Sequence, residues 1–371
     1  MNLILILLVI LFIVVAVMTH YYFWSAYYRR FEILGQLKEF SVDSQKRFVE
    51  YIPAKIKASQ NSKNAQKKPQ VPQVVCCPGL ACNGRIFHFN QQISLANHLS
   101  EKGFDVWIIH PRNMGANRRK QNSWIHPQKW DYGYQTYLND TIEMTQQIVK
   151  YTKQPVHWIG HSMGGLLGLD LVNQHPELLK SMILSGSPVD LRIHISKGKP
   201  HERLKFRQRF LFELKFLGRK AIRLNKIFTF VAPWAGFFRF LEADFMNPRY
   251  LSGGLLRKAL VQIFEDVPRQ LIEEFSDAMK GGDTLKGESF DTFADHLKKI
   301  NINLYCMASK GDRLAPESSS KALEGWVKPE ILHYETLEDY GHFDIIFGEK
   351  TVETIYPKIS TFLLKEEAQK S

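Results

Sequence analysis

Hydrophobic residues follow two different patterns along this chain. Residues 3–18 are apolar without interruption, and uncharged residues as far as Trp24 extend that run to more than twenty positions. From residue 74 onward, short apolar runs alternate with longer amphipathic segments. The first pattern is typical of a helix that crosses a membrane, and the second is typical of buried strands separated by surface helices.

The N-terminal run is long enough as a helix to span about 30 Å of hydrocarbon. Aromatic residues, among them Tyr21, Tyr22 and Trp24, stand near its end, as expected where a helix leaves a bilayer. A cleaved signal peptide is the alternative, but it favours a basic leader and small residues at its end. Basic residues such as Arg29 and Arg30 follow the run, which predicts a single-pass anchor with the body in the cytoplasm.

The alternating region predicts an α/β fold built on a mostly parallel, doubly wound sheet with helices on both faces. Each predicted strand is a short apolar run bounded by turn residues. We predict strands at residues 74–77, 104–109, 156–159, 181–186, 301–308 and 331–337, and helices at 93–101, 135–151, 165–173 and 353–365.

Two segments break this alternation. For residues 29–73 we predict an edge hairpin at 39–51, turning at Asp43–Ser44, and a polar surface loop at 58–73. Residues 188–299 carry many basic and aromatic residues and predict an inserted helical cap, which could also face lipid. The expected organisation is an anchor at 1–28, a membrane-proximal segment at 29–73, a core at 74–187 and 300–371, and a cap at 188–299.

Charge and cysteine content narrow the choice of partners. The 371 residues carry a formal net charge of +12, which suits an anionic membrane surface or nucleic acid. No nucleic-acid-binding motif accompanies the charge, so we expect a membrane and no nucleic acid. Cys76, Cys77, Cys82 and Cys306 show no metal-ligand spacing, and we expect no metal and no organic cofactor.

A nucleophile motif follows the third predicted strand. Residues 160–164 read Gly-His-Ser-Met-Gly, a G-x-S-x-G pattern between a strand and a helix. In this context the serine stands on a sharp turn that requires small residues two positions to either side, and Gly160 and Gly164 meet that requirement. Ser162 is therefore the expected nucleophile.

A serine nucleophile needs a base, and the base needs an acid that orients it. On a doubly wound sheet the expected chain order is serine, acid, histidine. Asp312 and His342 follow the last two predicted strands and satisfy that order. Asp190, which follows the strand at 181–186, is the alternative acid. Backbone N–H groups of Leu80 and Met163 are the expected donors to the oxyanion.

Five stretches together resemble α/β-hydrolases, and more narrowly the acid (gastric and lysosomal) lipase branch. They are Pro-Gly-Leu at 78–80, Gly-Phe-Asp-Val-Trp at 103–107, Arg-Asn-Met-Gly-Ala-Asn at 112–117, Gly-His-Ser-Met-Gly-Gly at 160–165 and Tyr-Gly-His-Phe-Asp-Ile-Ile-Phe-Gly at 340–348. The resemblance implies Ser162, Asp312 and His342 as a catalytic triad and Leu80 and Met163 as oxyanion donors. Proline precedes Gly79 where that branch usually has histidine.

The expected function is a membrane-anchored serine hydrolase that cleaves a carboxylic or lipid ester through an acyl-enzyme. An acyltransferase or thioesterase would use the same triad with a different acceptor or substrate. A non-catalytic binding protein that retains the fold is the alternative from a different class.

Overall fold

The computed structural model describes residues 3–28, 34–42, 45–55, 70–120, 130–194, 221–235, 246–247 and 249–369. Predictions that fall on the other residues, including the turn at 43–44 and most of the polar loop at 58–73, lie outside the described part of the chain.

One eight-stranded sheet forms the centre of the described chain, with strand order β1-β2-β4-β3-β5-β6-β9-β10. All neighbours from β4 to β10 are parallel, whereas β1 and β2 form an antiparallel pair beside β4. The predicted mostly parallel sheet is confirmed. Its strands are β1 Gln36–Val42, β2 Gln45–Ile52, β3 Gln73–Cys77, β4 Asp105–Ile109, β5 Val156–His161, β6 Leu179–Ser185, β9 Asn303–Ser309 and β10 Leu332–Leu337.

Both faces of the sheet are covered, which explains why its strands read as continuous apolar runs. In β3, all five residues are buried. Val75 and Cys77 pack on one side in a cluster with the helix at 134–152, while Val74 and Cys76 pack on the other with the helix at 95–101.

The helices of the core are α2 Leu95–Glu101, α3 Gly115–Lys120, α4 Tyr134–Thr152, α5 Met163–Gln174, α10 Glu317–Lys321, α11 Leu323–Trp326, α12 Glu349–Thr354 and α13 Tyr356–Ala368.

The C-terminal helix differs from its prediction. We expected one helix over 353–365, but the structure has two, and they meet at Ile355. Pro357 explains the break, because it lacks an N–H and is tolerated only in the first turn of a helix. It stands within the first two positions of α13, which therefore begins at Tyr356.

The described part of the 188–299 region is mainly helical. A short antiparallel pair, β7 with β8, accompanies four helices, and residues 263–265 hydrogen-bond to the loop at 81–83 through Asn83 N to Ile263 O and Glu265 N to Ala81 O. The elements are β7 Ala221–Ile222, α6 Leu224–Val231, α7 Gly253–Gln262, β8 Val267–Pro268, α8 Arg269–Met279 and α9 Phe290–Leu297.

An apolar helix, α1 Leu3–Tyr28, precedes the sheet. Within the described residues it is the helix that is long and apolar enough to cross a membrane, over Ile6–Tyr27, although a signal sequence has the same properties. Its 26 residues include no acidic or basic side chain in the first or last turn.

The segment after β4, which includes α3, attaches the antiparallel pair to the parallel sheet. Asn117 Oδ1 accepts a hydrogen bond of 2.7 Å from Phe48 N in β2, and its Nδ2 donates to the carbonyl of His110. Glu50 of β2 is also buried, with Oε1 3.2 Å from His88 Nδ1 and Oε2 3.5 Å from His110 Nε2. Burial raises the pKa of Glu50, but the contacts with His110 and His88 outweigh it and lower that pKa overall.

We expect Asn117→Ala to lower the free energy of unfolding by about 1–3 kcal/mol, because it leaves the buried His110 carbonyl and the Phe48 N–H without their partner. Urea denaturation of the full chain in detergent micelles measures this. Asn139→Ala is the control, since Asn139 is exposed and its side chain accepts a hydrogen bond from Gln135 on its own helix. Equal decreases in the free energy of unfolding of the two variants would contradict the role given to Asn117.

Candidate active site

Ser162 occupies a strained turn between β5 and α5. Its φ of 53° and ψ of −121° lie outside the regions that ordinary residues favour, and such a conformation costs about 1–3 kcal/mol. Hydrogen bonds fix the backbone on both sides: Ser162 N donates to Ser185 O at 2.9 Å, and Gly165 N donates to Ser162 O at 2.9 Å. The serine side chain is thereby held at the carboxyl end of β5, with 9% of its surface exposed.

The flanking glycines allow the turn to form. A Cβ on Gly160 would lie 2.4 Å from Gly164 O, and one on Gly164 would lie 2.2 Å from Cys77 O at the end of β3. Neither space admits a methyl group. The small residues predicted around Ser162 are thus required by the close approach of α5 to both β5 and β3.

Asp312 and His342 come together at the same edge of the sheet. Asp312 Oδ1 accepts hydrogen bonds from the backbone N–H groups of Leu314 at 2.9 Å and Ala315 at 2.8 Å. Its Oδ2 lies 2.8 Å from His342 Nδ1, and both side chains are buried. The carboxylate therefore accepts the Nδ1–H of the imidazole, which leaves Nε2 available as a proton acceptor.

Contacts with the neighbouring residues place this pair beside Ser162. The rings of His161 and His342 lie 4.8 Å apart, and a Cβ on Gly186, one residue beyond β6, would lie 3.2 Å from Asp312 Oδ2. Within the described residues, the Ser162 hydroxyl makes no hydrogen bond. Ser162 and His342 are thus neighbours that no hydrogen bond joins in this structure.

Asp190, the alternative acid, is engaged elsewhere. Its Oδ1 accepts from the backbone N–H and the Nε of Arg192, each at 3.0 Å, and its Oδ2 accepts from Arg192 Nη2 at 3.0 Å. The structure therefore brings Asp312, and not Asp190, to the imidazole of His342.

The two expected oxyanion donors flank the serine. The loop after β3 passes against it so closely that a Cβ on Gly79 would lie 2.7 Å from Ser162 Cβ. Leu80 follows in that loop, and Met163 begins α5. In the part of the chain that the structure describes, neither the backbone N–H of Leu80 nor that of Met163 donates a hydrogen bond. The positive end of the α5 dipole also faces this position.

His161 supports the histidine loop. Its Nε2 lies 3.0 Å from the carbonyl of His342, so Nε2 carries the proton and donates, because a carbonyl can only accept. Burial, and next the neighbouring His342, hold the pKa of His161 well below its usual value. A neutral His161 therefore fixes the backbone of His342 by this hydrogen bond.

Asp344 has a structural role that the sequence pattern did not reveal. Its buried Oδ2 accepts hydrogen bonds from Gly341 N at 2.9 Å and from Asn247 N, while Asn247 Nδ2 donates to Asp339 O at 2.6 Å. Met246 and Asn247 belong to the 188–299 region, so Asp344 ties that region to the loop of His342. The Gly-His-x-Asp spacing was visible in the sequence, but the partner at 247 was not.

Family and structural comparisons agree with the fold described above. Residues 72–349 match the model of the α/β-hydrolase fold, so the chain belongs to the α/β-hydrolase family. The gastric triacylglycerol lipase of Rattus norvegicus is 24% identical over 128 residues, a match that covers 33% of this chain and 32% of the lipase. The chain thus matches about a third of the length of that curated relative.

Two solved structures share the fold. An esterase from Exiguobacterium antarcticum has a TM-score of 0.57 and 19% identity, covering 90% of this chain and 98% of the esterase. A monoacylglycerol lipase from Paleococcus ferrophilus has a TM-score of 0.55 and 11% identity, covering 87% of this chain and 100% of the lipase. The fold of this chain is that of a hydrolase family with lipase and esterase members.

Asp344 predicts a pH dependence of stability. Burial raises its pKa to about 7 in the folded chain, against the lowering effect of the hydrogen bonds from Asn247 and Gly341. The folded state then holds this proton more tightly than the unfolded state, so its contribution to stability is present below about pH 4 and is lost as the pH rises through 7. We expect Asp344→Asn to reduce the slope of the unfolding free energy against pH, because asparagine does not titrate.

Unfolding free energies of the full chain in detergent between pH 4 and 8 measure the effect. Asp283→Asn is the matched control, since Asp283 is exposed and lies far along the chain from the site. A slope that Asp344→Asn leaves unchanged would contradict the buried, titrating carboxyl.

Proposed function

We propose that this protein is a membrane-anchored serine hydrolase that cleaves carboxylic esters with an apolar acyl part. The observation that carries the proposal is the Asp312–His342 pair, 2.8 Å apart, at the sheet edge where Ser162 stands on its strained turn. A serine hydroxyl is a poor nucleophile alone, and an acid-oriented imidazole within reach is the group that activates it.

The proposed reaction begins when a rotation of the Ser162 side chain brings Oγ to His342 Nε2. Oγ attacks the carbonyl carbon of the ester while Nε2 takes its proton, and Asp312 stabilises the imidazolium. The N–H groups of Leu80 and Met163 bind the oxyanion. His342 then protonates the leaving alcohol, and the acyl group remains on Ser162. Water, deprotonated by His342, releases the acid and restores the enzyme.

The surroundings of His342 favour an apolar acyl group. The Phe343 ring lies 5.3 Å from the His342 ring, and the Phe264 ring lies 5.0 Å from that of Phe343. Burial in these apolar surroundings keeps water away from the acid–imidazole pair and strengthens its electrostatic effect. The likeness to a triacylglycerol lipase and to an esterase supports an ester as the substrate class.

The proposed membrane anchor is α1. Its side chains from Leu7 to Val15 are all at least half exposed in the isolated chain, and a helix of this composition in water would be strongly unfavourable. Arg29 and Arg30 directly follow it, which favours a cytoplasmic body.

Protease added outside sealed inverted vesicles should digest the body, whereas protection of the body there would contradict this orientation.

We expect Ser162→Ala to abolish labelling by a fluorophosphonate probe and to lower ester turnover by about 10⁶-fold, because the attacking oxygen is lost. Gel fluorescence and hydrolysis of p-nitrophenyl butyrate measure the two effects. A folded parent protein that neither binds the probe nor hydrolyses p-nitrophenyl esters from acetate to palmitate would overturn the proposed function.

A matched pair of variants tests which aspartate orients His342. Asp312→Asn should lower kcat by about 10⁴-fold, because the amide no longer holds the productive tautomer of His342. Asp190→Asn removes the same charge from a carboxylate that faces Arg192 and should leave kcat within a factor of about three. The reverse ranking of these two variants would assign the acid to Asp190.

A further inference from the structure

Helix α6 presents an apolar surface to the outside of the protein. Ile227, Phe230, Val231 and Trp234, which we call the outer face of α6, are 37%, 39%, 40% and 52% exposed. These side chains stand within eight positions of one another on α6 and the turn that follows it, Ala232–Trp234. Large apolar side chains exposed next to each other mark a contact surface more often than singly scattered ones do.

The orientation of α6 is fixed by polar contacts on its inner side. Asn225 Nδ2 donates to Phe264 O at 2.7 Å, and Asn225 N donates to Asp266 Oδ1 at 3.2 Å. Thr229, one turn further along, is fully buried. The helix therefore cannot turn its apolar residues inward without leaving buried donors unpaired, which costs about 1–3 kcal/mol for each group.

This outer face is continuous with the N-terminal apolar helix. The ring of His20 in α1 stacks on Trp234 with centroids 6.1 Å apart, and it meets the edge of Phe230 at 5.3 Å. One turn later, Trp24 packs against Ala232 and Val261. The last third of α1 and the outer face of α6 thus form one surface.

The height of this contact along α1 places it within the apolar span. His20 lies eight residues before Tyr28, at which α1 ends, and this corresponds to about 12 Å of helix. The candidate span Ile6–Tyr27 includes both His20 and Trp24. Side chains that touch these residues from outside stand at the depth where a bilayer passes from headgroups to hydrocarbon.

We propose that the outer face of α6 is a second membrane contact, seated in the lipid that surrounds α1. The inference rests on the proposed membrane anchoring. Apolar and aromatic side chains on one face of an interfacial helix are the groups that enter the boundary between headgroups and acyl chains. Lys226, exposed on the same helix, supplies a cation for lipid phosphates.

The inner side of α6 connects this contact to the candidate active site. The ring of Phe228 lies 4.6 Å from Phe264, Phe264 lies 5.0 Å from Phe343, and Phe343 lies 5.3 Å from His342. Two aromatic rings, Phe264 and Phe343, therefore lie between Phe228 on the lipid-facing helix and His342. This arrangement holds the site beside the bilayer, where an ester with long acyl chains resides, and the substrate class we infer is a lipid ester taken from the same leaflet.

Lipid contact can be measured without any enzymatic assay. The native cysteines are all buried, so Ile227→Cys and Val231→Cys can be labelled selectively with a nitroxide. Leu364→Cys is the matched control, because Leu364 is 45% exposed on α13. Glu367 of the same helix contacts His157 and Lys180 at the amino ends of β5 and β6, opposite the end at which Ser162 stands. The labelled full chain is reconstituted in vesicles of phosphatidylcholine and phosphatidylglycerol.

We expect the labels at 227 and 231 to collide more often with oxygen, which concentrates in lipid, than with a water-soluble nickel chelate, and the label at 364 to show the opposite preference. Labels at 227 and 231 that prefer the nickel chelate would overturn the membrane contact. Low collision with both reagents, together with spin–spin broadening, would also overturn it, because a second copy of the chain would then cover this face.

The consequence for substrate supply is tested with the double variant Ile227→Ser, Val231→Ser. Turnover of a long-chain ester embedded in vesicles should fall at least about tenfold, because the apolar area that seats α6 is lost. Turnover of soluble p-nitrophenyl butyrate should stay within about twofold, and Leu364→Ser should affect neither substrate.

An unchanged rate on the vesicle substrate would overturn the link between the lipid contact and the site. If the parent protein hydrolyses neither ester, the proposed hydrolase fails, while the collision measurement still decides the membrane contact.

Discussion

The close approach of helix α5 to the ends of β5 and β3 is the constraint on which the site depends. Gly164 lies against the carbonyl of Cys77, and Gly160 lies against the carbonyl of Gly164, at separations that leave no room for a Cβ. This contact forces Ser162 into its strained backbone conformation and presents its side chain at the carboxyl edge of the sheet. A well-packed interior can hold such a strained residue because any relaxation would disturb many surrounding contacts.

The rest of the site consists of loops that leave the same edge, each held by its own backbone. Asp312 is oriented by the N–H groups of Leu314 and Ala315, and His342 is oriented by Asp312 and by His161. The parallel register aligns the strand ends that carry these loops, for example His161 beside Ser185 and Ser185 beside Met307. Residues far apart in the chain therefore converge without any single long-range contact being responsible.

The region between β6 and β9 joins this edge to the apolar helix at the N-terminus. Asp344 binds the backbone of Asn247, and the rings of Phe343 and Phe264 lead to Phe228 on α6. On its other side α6 adjoins α1. A movement of α6 relative to the core would disturb the packing around His342, so the position of this region and the geometry of the site are physically coupled.

The sequence by itself determined the parallel strands of the sheet and the sharp turn that carries Ser162. Buried parallel strands are continuous apolar runs, and such a turn admits only small residues around the serine. It favoured Asp312 as the acid but left Asp190 as an alternative, since each follows a predicted buried strand. Only the tertiary structure places Asp312 beside His342, because Arg192 binds the carboxylate of Asp190 while Asp312 keeps one oxygen for His342. The contacts of Asp344 with Asn247 and of His20 with Trp234 were equally hidden, because they join residues about 100 and 200 positions apart whose meeting depends on the packing of the whole chain.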